Sequence, residues 1–226
     1  MKTHYRHTVL LAALALFGAL HAGLGAQAPA GRGGRGGAPP PDPTRPARIE
    51  LIEGTVARYK VREQLAGISF PSDAVGTTAA VTGGLVLNPD GSIDVKQSKV
   101  VVDLTGLKSD QSMRDGYVQR NTLETGKYPT LEFVPTRIVG LQMPLPTAPP
   151  AQAGFQLVGD MTLHGVTREV TWNVVATFAN DGVAGRATTT LTFETFKIAK
   201  PSLARLLSVD DEIELEIEFR SRRTAL

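Results

Sequence analysis

Glu212-Ile213-Glu214-Leu215-Glu216-Ile217-Glu218-Phe219-Arg220 is the stretch that decides the fold. Four apolar side chains alternate with charged ones without a break. Successive side chains of a β-strand point to opposite faces, so this stretch has one dry face and one wet face. The glutamates fall on the wet face, where they read as a solubilising stripe that also discourages edge-to-edge pairing.

The same period of two recurs upstream. Val170, Trp172, Val174, Ala176 and Phe178 are interleaved with Thr171, Asn173 and Thr177. Leu157, Gly159, Met161 and Leu163 alternate with Gln156, Asp160 and Thr162. Val100, Val102 and Leu104 form a shorter run, and Leu131 with Phe133 and Leu191 with Phe193 begin two more. His164-Gly165 has the length and chemistry of a two-residue hairpin turn. Asn180-Asp181-Gly182 and Asn88-Pro89-Asp90-Gly91 read as further turns. Links this short make antiparallel neighbours. An antiparallel sheet with one wet face must close on itself or pack on another sheet to hide its dry face. The fold class is therefore all-β.

Two stretches break the alternation. Residues 109–126 are polar, with Arg114, Asp115, Val118 and Gln119, and suit a short helical insertion. Residues 140–154 contain Pro144, Pro146, Pro149 and Pro150 and read as a surface loop, because proline cannot serve a central strand. Gly83-Gly84, inside an apolar run, marks a bend or bulge.

The first residues have a different character. Lys2 and Arg6 precede an apolar run from Val9 to Leu20, and small residues follow. That order is the pattern of a secretory signal peptide, and the run is short of the roughly 20 residues that a membrane-spanning helix needs. The expected organisation is a signal peptide over 1–26, a Gly/Pro-rich tether over 27–47 and one barrel domain over 48–222, in a periplasmic or secreted protein. The tether contains Gly31-Arg32-Gly33-Gly34-Arg35-Gly36-Gly37, a composition that buries too little apolar surface to order itself.

The net charge of +2 describes the leader more than the domain. Residues 1–47 hold five of the 24 Lys and Arg and one of the 22 Asp and Glu, which leaves 19 against 21 beyond them. A nucleic-acid partner calls for a basic domain face, and this balance argues against one. The chain has no cysteine, and His164 is the one histidine beyond the leader, so zinc and copper lack their preferred ligands. His164 is expected as an exposed turn residue. A Ser-His-Asp arrangement would have to use it with Asp160, yet no Gly-x-Ser-x-Gly element presents a nucleophile. Asp210-Asp211 has no calcium loop behind it. The dry faces show no carboxylate whose burial would make it an acid or base. No catalytic residue and no metal site are expected.

What remains is the dry face itself: Leu85, Leu131, Phe133, Met161, Trp172, Val174, Phe178, Leu191, Phe193, Phe196, Leu215 and Ile217 are the interior candidates. A closed barrel of about eight strands either fills with side chains or holds one small ligand. Periodicity does not choose between them.

Several segments together resemble the YceI-like family. Lys127-Tyr128-Pro129-Thr130-Leu131-Glu132-Phe133 is similar to its Tyr-Pro-Thr-x-x-Phe element. Leu157 to Val170 resembles its Val-x-Gly-x-Leu-Thr-Leu-x-Gly-Val-Thr hairpin, with Leu163-His164-Gly165-Val166 at the turn. Val100 to Leu104, then Ser112, Arg114 and Asp115, match a strand and an Arg-Asp segment, and Val209 to Leu215 is similar to the closing strand. The resemblance runs from about Ala57 to Arg220. It implies an extended eight-stranded antiparallel barrel, lipocalin-like, with a long hydrophobic pocket. The implied ligand is a polyisoprenoid, quinone or other long-chain lipid, held by a carrier or sequestering module without a cofactor, a nucleic-acid partner or a stable membrane span. The alternative is an exported structural or stress-related barrel with a filled core. The oligomeric state is left open, a dimer included. One segment departs from the family: Arg62 to Phe70 stands where many members carry Asp-x-x-His-Ser-x-Ile-x-Phe. The absent histidine bears on the pocket mouth and the ligand more than on the fold.

Overall fold

A computed structural model describes residues 42–145 and 151–226. The expected signal peptide and residues 27–41 of the tether lie outside those residues, and Ala47, the last tether residue expected, begins β1. Ten hydrogen-bonded segments carry the fold: β1 (Ala47–Leu51), β2 (Val56–Leu65), β3 (Ser72–Thr78), β4 (Val81–Leu87), β5 (Lys99–Asp103), β6 (Thr130–Val139), β7 (Ala151–Leu163), β8 (Val166–Phe178), β9 (Gly182–Thr192) and β10 (Leu206–Ala225).

The ten segments make eight strands. β10 is 20 residues long and lies against β9 on one edge. Its other edge is shared by β2, from Leu206↔Leu65 to Glu218↔Val56, and by β1, from Ser221↔Leu51 to Ala225↔Ala47. β1 and β2 are thus one strand interrupted at residues 52–55. Thr55 mends the break: its hydroxyl accepts from Arg220 N at 3.1 Å and lies 2.9 Å from the Ile52 carbonyl oxygen, to which it donates. β3 and β4 run along β2 and β1 in the same divided way. The remaining neighbours follow chain order, β4 through β10, and every pairing is antiparallel. Because β10 returns to β1 and β2, the sheet closes. Closure removes free edges and hides the dry faces inside.

Local chemistry sets the corners. His164 and Gly165 both have positive φ, 52° and 73°, as the twist of a two-residue hairpin demands, and they join the paired β7 and β8. Gly83 has φ 95°, and a Cβ there would stand 2.0 Å from the Lys99 carbonyl oxygen, so the bend expected at this pair is one that only glycine permits. Pro135 lies within β6 at a register shift against β7, where a missing N–H costs least. The turn at Asn88 to Gly91 folds back only as far as a Leu87↔Ile93 bridge, and a short 3₁₀ turn, Val95–Gln97, precedes β5. β7 begins at Ala151, so residues 151–154 are strand. They pair with Val175 to Phe178, and the irregular link after β6 is described only over 140–145.

The 104–129 link carries one short helix, α1 (Ser112–Tyr117), followed by a wider turn over Val118–Thr122. It also seals a seam. β4 pairs with β5 only from Val81 to Gly84, and beyond it β3 meets the link through Thr77 and Lys108, whose backbones exchange hydrogen bonds of 2.7 and 3.0 Å. On the outer face the glutamate row is a ladder of ion pairs. Glu214 meets Lys60 at 2.7 Å, and Glu216 meets Arg58 at 2.8 Å and Arg186 at 3.3 Å. No helix among the described residues is long and apolar enough to cross a membrane.

Candidate functional site

The two ends of the barrel differ. At the end where β4 and β8 finish, Leu87, Ile93, Leu145, Phe178 and Val183 are all buried in one cluster and fill the interior. At the other end the interior is hollow. A cavity of about 760 Å³ opens there, beneath α1, the β2–β3 turn and the link from β9 to β10. That volume lies inside the range of about 300–1,000 Å³ typical of small-molecule sites.

Of the twelve interior candidates, Leu131, Trp172, Leu191, Phe193, Leu215 and Ile217 border the cavity. Leu85, Phe133, Met161, Val174, Phe178 and Phe196 do not; all but Leu85 are fully buried in the packed part of the core. Leu215 and Ile217 face inward on β10 yet are only half-buried. The vacant volume beside them accounts for this, since a side chain against a void keeps accessible surface.

The lining also includes residues outside the twelve interior candidates, although Leu104 and Ile213 belong to alternating runs. Leu104, Leu107, Leu123 and Ile198 come from the two long links, and Val209 and Ile213 from the start of β10. Their signal is present but broken: the register slips between Val209 and Ile213, so Asp210-Asp211-Glu212 bulges out and the alternation skips. On β2 the inward residues are Ala57, Tyr59, Val61, Glu63 and Leu65. Glu63 therefore corrects the expectation of carboxylate-free dry faces, for it borders the cavity and is only 8% exposed.

Glu63 is not a free acid. Arg114 Nη2 on α1 donates to Glu63 Oε1 at 2.5 Å, and Arg114 Nη1 donates to Asp110 Oδ1 at 2.5 Å. Burial works against the Arg114 guanidinium, but its hydrogen bonds and charge contacts with Asp110 and Glu63 outweigh that and raise its pKa. Asp115 steadies the helix by accepting from Ser109 N at 2.8 Å and Ser109 Oγ at 2.6 Å. Beside this pair lies Tyr59. Burial pushes its phenol up to about 12, with the positive charge of Arg114 acting in the opposite sense.

Two buried polar atoms in the lining lack a protein partner: the Trp172 indole nitrogen and the Thr122 hydroxyl. A few placed polar groups in an apolar wall are what orient a ligand in such sites. The Trp172 ring is edge-on to Phe133, with centroids 6.1 Å apart. His164 lies elsewhere. It is half-buried, not exposed as expected, because Glu124 Oε2 sits 2.7 Å from its Nε2 and the Tyr128 ring packs 4.6 Å away. That contact ties the β7–β8 turn to the residues after α1. Among the described residues there is no cluster of metal-ligating side chains.

Comparison with known proteins agrees with this architecture. A polyisoprenoid binding domain from Saccharophagus degradans, implicated in plant cell wall breakdown, superposes with a TM-score of 0.61 over 79% of this chain and 98% of its own, at 11% identity. The YCEI protein of Campylobacter jejuni gives 0.54 over 70% and 90% at 14% identity, and BcnA of Burkholderia cenocepacia 0.53 over 73% and 95% at 15%. At these identities the likeness is one of fold. By sequence, a UPF0312 protein of Pseudomonas putida strain W619 is 33% identical over 129 residues, 52% of this chain and 62% of that protein. The chain thus spans less than two thirds of the length of that relative. The YceI-like domain matches residues 54–221, from the turn before β2 almost to the end of β10, and with three quarters of its length so covered the chain belongs to the YceI-like family.

Proposed function

We propose that this protein is an exported binding module that holds a long-chain, isoprenoid-type lipid in the hollow end of its barrel, as a carrier or sequestering protein. The observation that carries the reading is the cavity of about 760 Å³ with its mainly apolar wall. Its capacity follows from a simple ratio. A cavity of about 150 Å³ takes a benzene ring, so 760 Å³ encloses on the order of 30 heavy atoms, about six isoprene units. At about 0.3 kcal/mol per enclosed atom, that contributes roughly 9 kcal/mol, a dissociation constant just below micromolar. A longer chain would extend through the mouth. The polyisoprenoid-binding description of the Saccharophagus degradans neighbour supports the same ligand class. The Glu63–Arg114 pair supports binding over catalysis, because each charge is already committed to a partner.

The test is native extraction of the purified protein with mass spectrometry of what leaves it, followed by titration of the stripped protein. Trp172 borders the cavity and is the sole tryptophan, so its emission reports on that space alone. Stripping is expected to shift the emission to the red. A prenyl alcohol or quinone should reverse or quench the shift with saturation near one ligand per barrel. A protein that yields no lipid and whose Trp172 ignores both probes would be a barrel without this function.

A further inference from the structure

Five of the most exposed large apolar side chains gather at the mouth of the cavity. Ile68 and Phe70 lie on the β2–β3 turn, Met113 on α1, Leu203 in the link before β10 and Leu207 at the start of β10. Phe70 and Met113 are each 79% exposed and Leu207 65%, more than any other large apolar residue described, so the wettest apolar groups of the barrel stand around the cavity mouth. Polar contacts hold the three segments together. Arg114 on α1 meets Glu63 at the end of β2, the Tyr117 hydroxyl lies 3.4 Å from Ser202 N, and Ala66 N donates to Arg205 O at 2.8 Å. Ile68, Met113 and Leu203 also border the cavity, so rim and interior form one continuous apolar surface. Arg120 and Arg205 stand at the same mouth, and neither has a salt bridge among the described residues.

We infer that this rim is a docking surface for an anionic lipid bilayer, set so that the cavity mouth faces the membrane when cargo passes. Large exposed apolar groups next to unpaired cations are the combination that an anionic bilayer surface rewards: the side chains enter the acyl boundary and the guanidinium groups meet headgroup charge. The apolar groups project from three separate segments around a hole, which suits a deformable partner better than the flat, packed patch that a protein partner requires. The purpose of the surface rests on the lipid-carrier reading, but its existence is tested separately.

The experiment is vesicle flotation with the processed chain beginning after Ala26, which keeps every described residue. Vesicles of phosphatidylglycerol with phosphatidylethanolamine are compared with pure phosphatidylcholine. The protein should float with the anionic vesicles and bind them several-fold less well as salt rises. The double variant Phe70→Ser/Leu207→Ser, whose residues do not border the cavity, should lose at least about tenfold in apparent affinity. It should keep the Trp172 response to detergent-dispersed prenyl alcohol. Absence of flotation, equal binding by the double variant, or a dimer that the double variant dissolves without any vesicle binding would each overturn the docking surface. In those cases an intact Trp172 response would leave the carrier reading standing. Flotation without any Trp172 response would sink the carrier reading and not the docking surface.

Discussion

At the scale of single residues, Glu63 and Tyr59 show how one inward-facing row can carry more than apolar packing. On β2 Ala57, Tyr59, Val61, Glu63 and Leu65 border the cavity, and the residues alternating with them are basic, with Arg58, Lys60 and Arg62 in ion pairs with Glu216, Glu214 and Asp73. The Tyr59 phenol is half-buried, and burial raises it from its ordinary 10 to about 12. The folded state therefore holds this proton more tightly than the unfolded chain. Its contribution to stability is fully present below pH about 10 and is lost as pH climbs from there through about 12. Phenolate absorbance is expected to show one tyrosine titrating near 12 that vanishes in Tyr59→Phe, and urea midpoints should drop less between pH 9 and 11.5 in that variant than in the native chain. A full complement of ordinary tyrosine titrations would show that the phenol is open to water.

At the scale of elements, the 104–129 insertion is the piece that makes a barrel into a vessel. α1 has only six residues, too few to be stable as an isolated helix, so its position depends on tertiary contacts. The Arg114–Glu63 ion pair is the most buried of these contacts, with the two side chains 14% and 9% exposed. Removing one partner strands the other charge, which costs more than the pair itself contributes. Arg114→Ala is expected to destabilise the protein by about 2 to 4 kcal/mol in urea unfolding, and Glu63→Leu added to it should recover part of that loss. Additive losses would mean that the two groups are not coupled. The insertion should also loosen in Arg114→Ala, read as faster hydrogen exchange over 108–123 with β7 and β8 unchanged.

At the scale of the whole molecule, the barrel is packed at one end and hollow at the other, and truncations should feel the difference. Leu87 lies in the packed end at 2% exposure, whereas Leu215 borders the cavity. The same change leaves a new void at the first position and only enlarges an existing one at the second. Leu87→Ala is expected to cost about 3 to 5 kcal/mol and Leu215→Ala about 1 to 2, while only Leu215→Ala alters the Trp172 response to a prenyl alcohol. Equal costs in urea would mean that no such division exists. The alternating strands β5 to β10 with their dry faces, the two-residue turn at His164-Gly165, the bend at Gly83 and the helical insertion were legible in the amino-acid sequence, whereas β1, β2 and β3 were not singled out. Each legible feature follows from a neighbour-to-neighbour rule: side chains alternate every residue along a strand, and glycine alone accepts certain backbone angles. The closure of ten segments into eight strands was less plain, because the breaks at 52–55 and 79–80 split strands that only the shared partner β10 and the pairing of β2 with β3 reveal as continuous. The cavity, the pairing of Glu63 with an arginine 51 residues away and the apolar rim were settled by tertiary structure alone. A void is the difference between the volume that a closed wall encloses and the volume that its side chains fill, and that difference belongs to all the strands and links at once rather than to any run of residues.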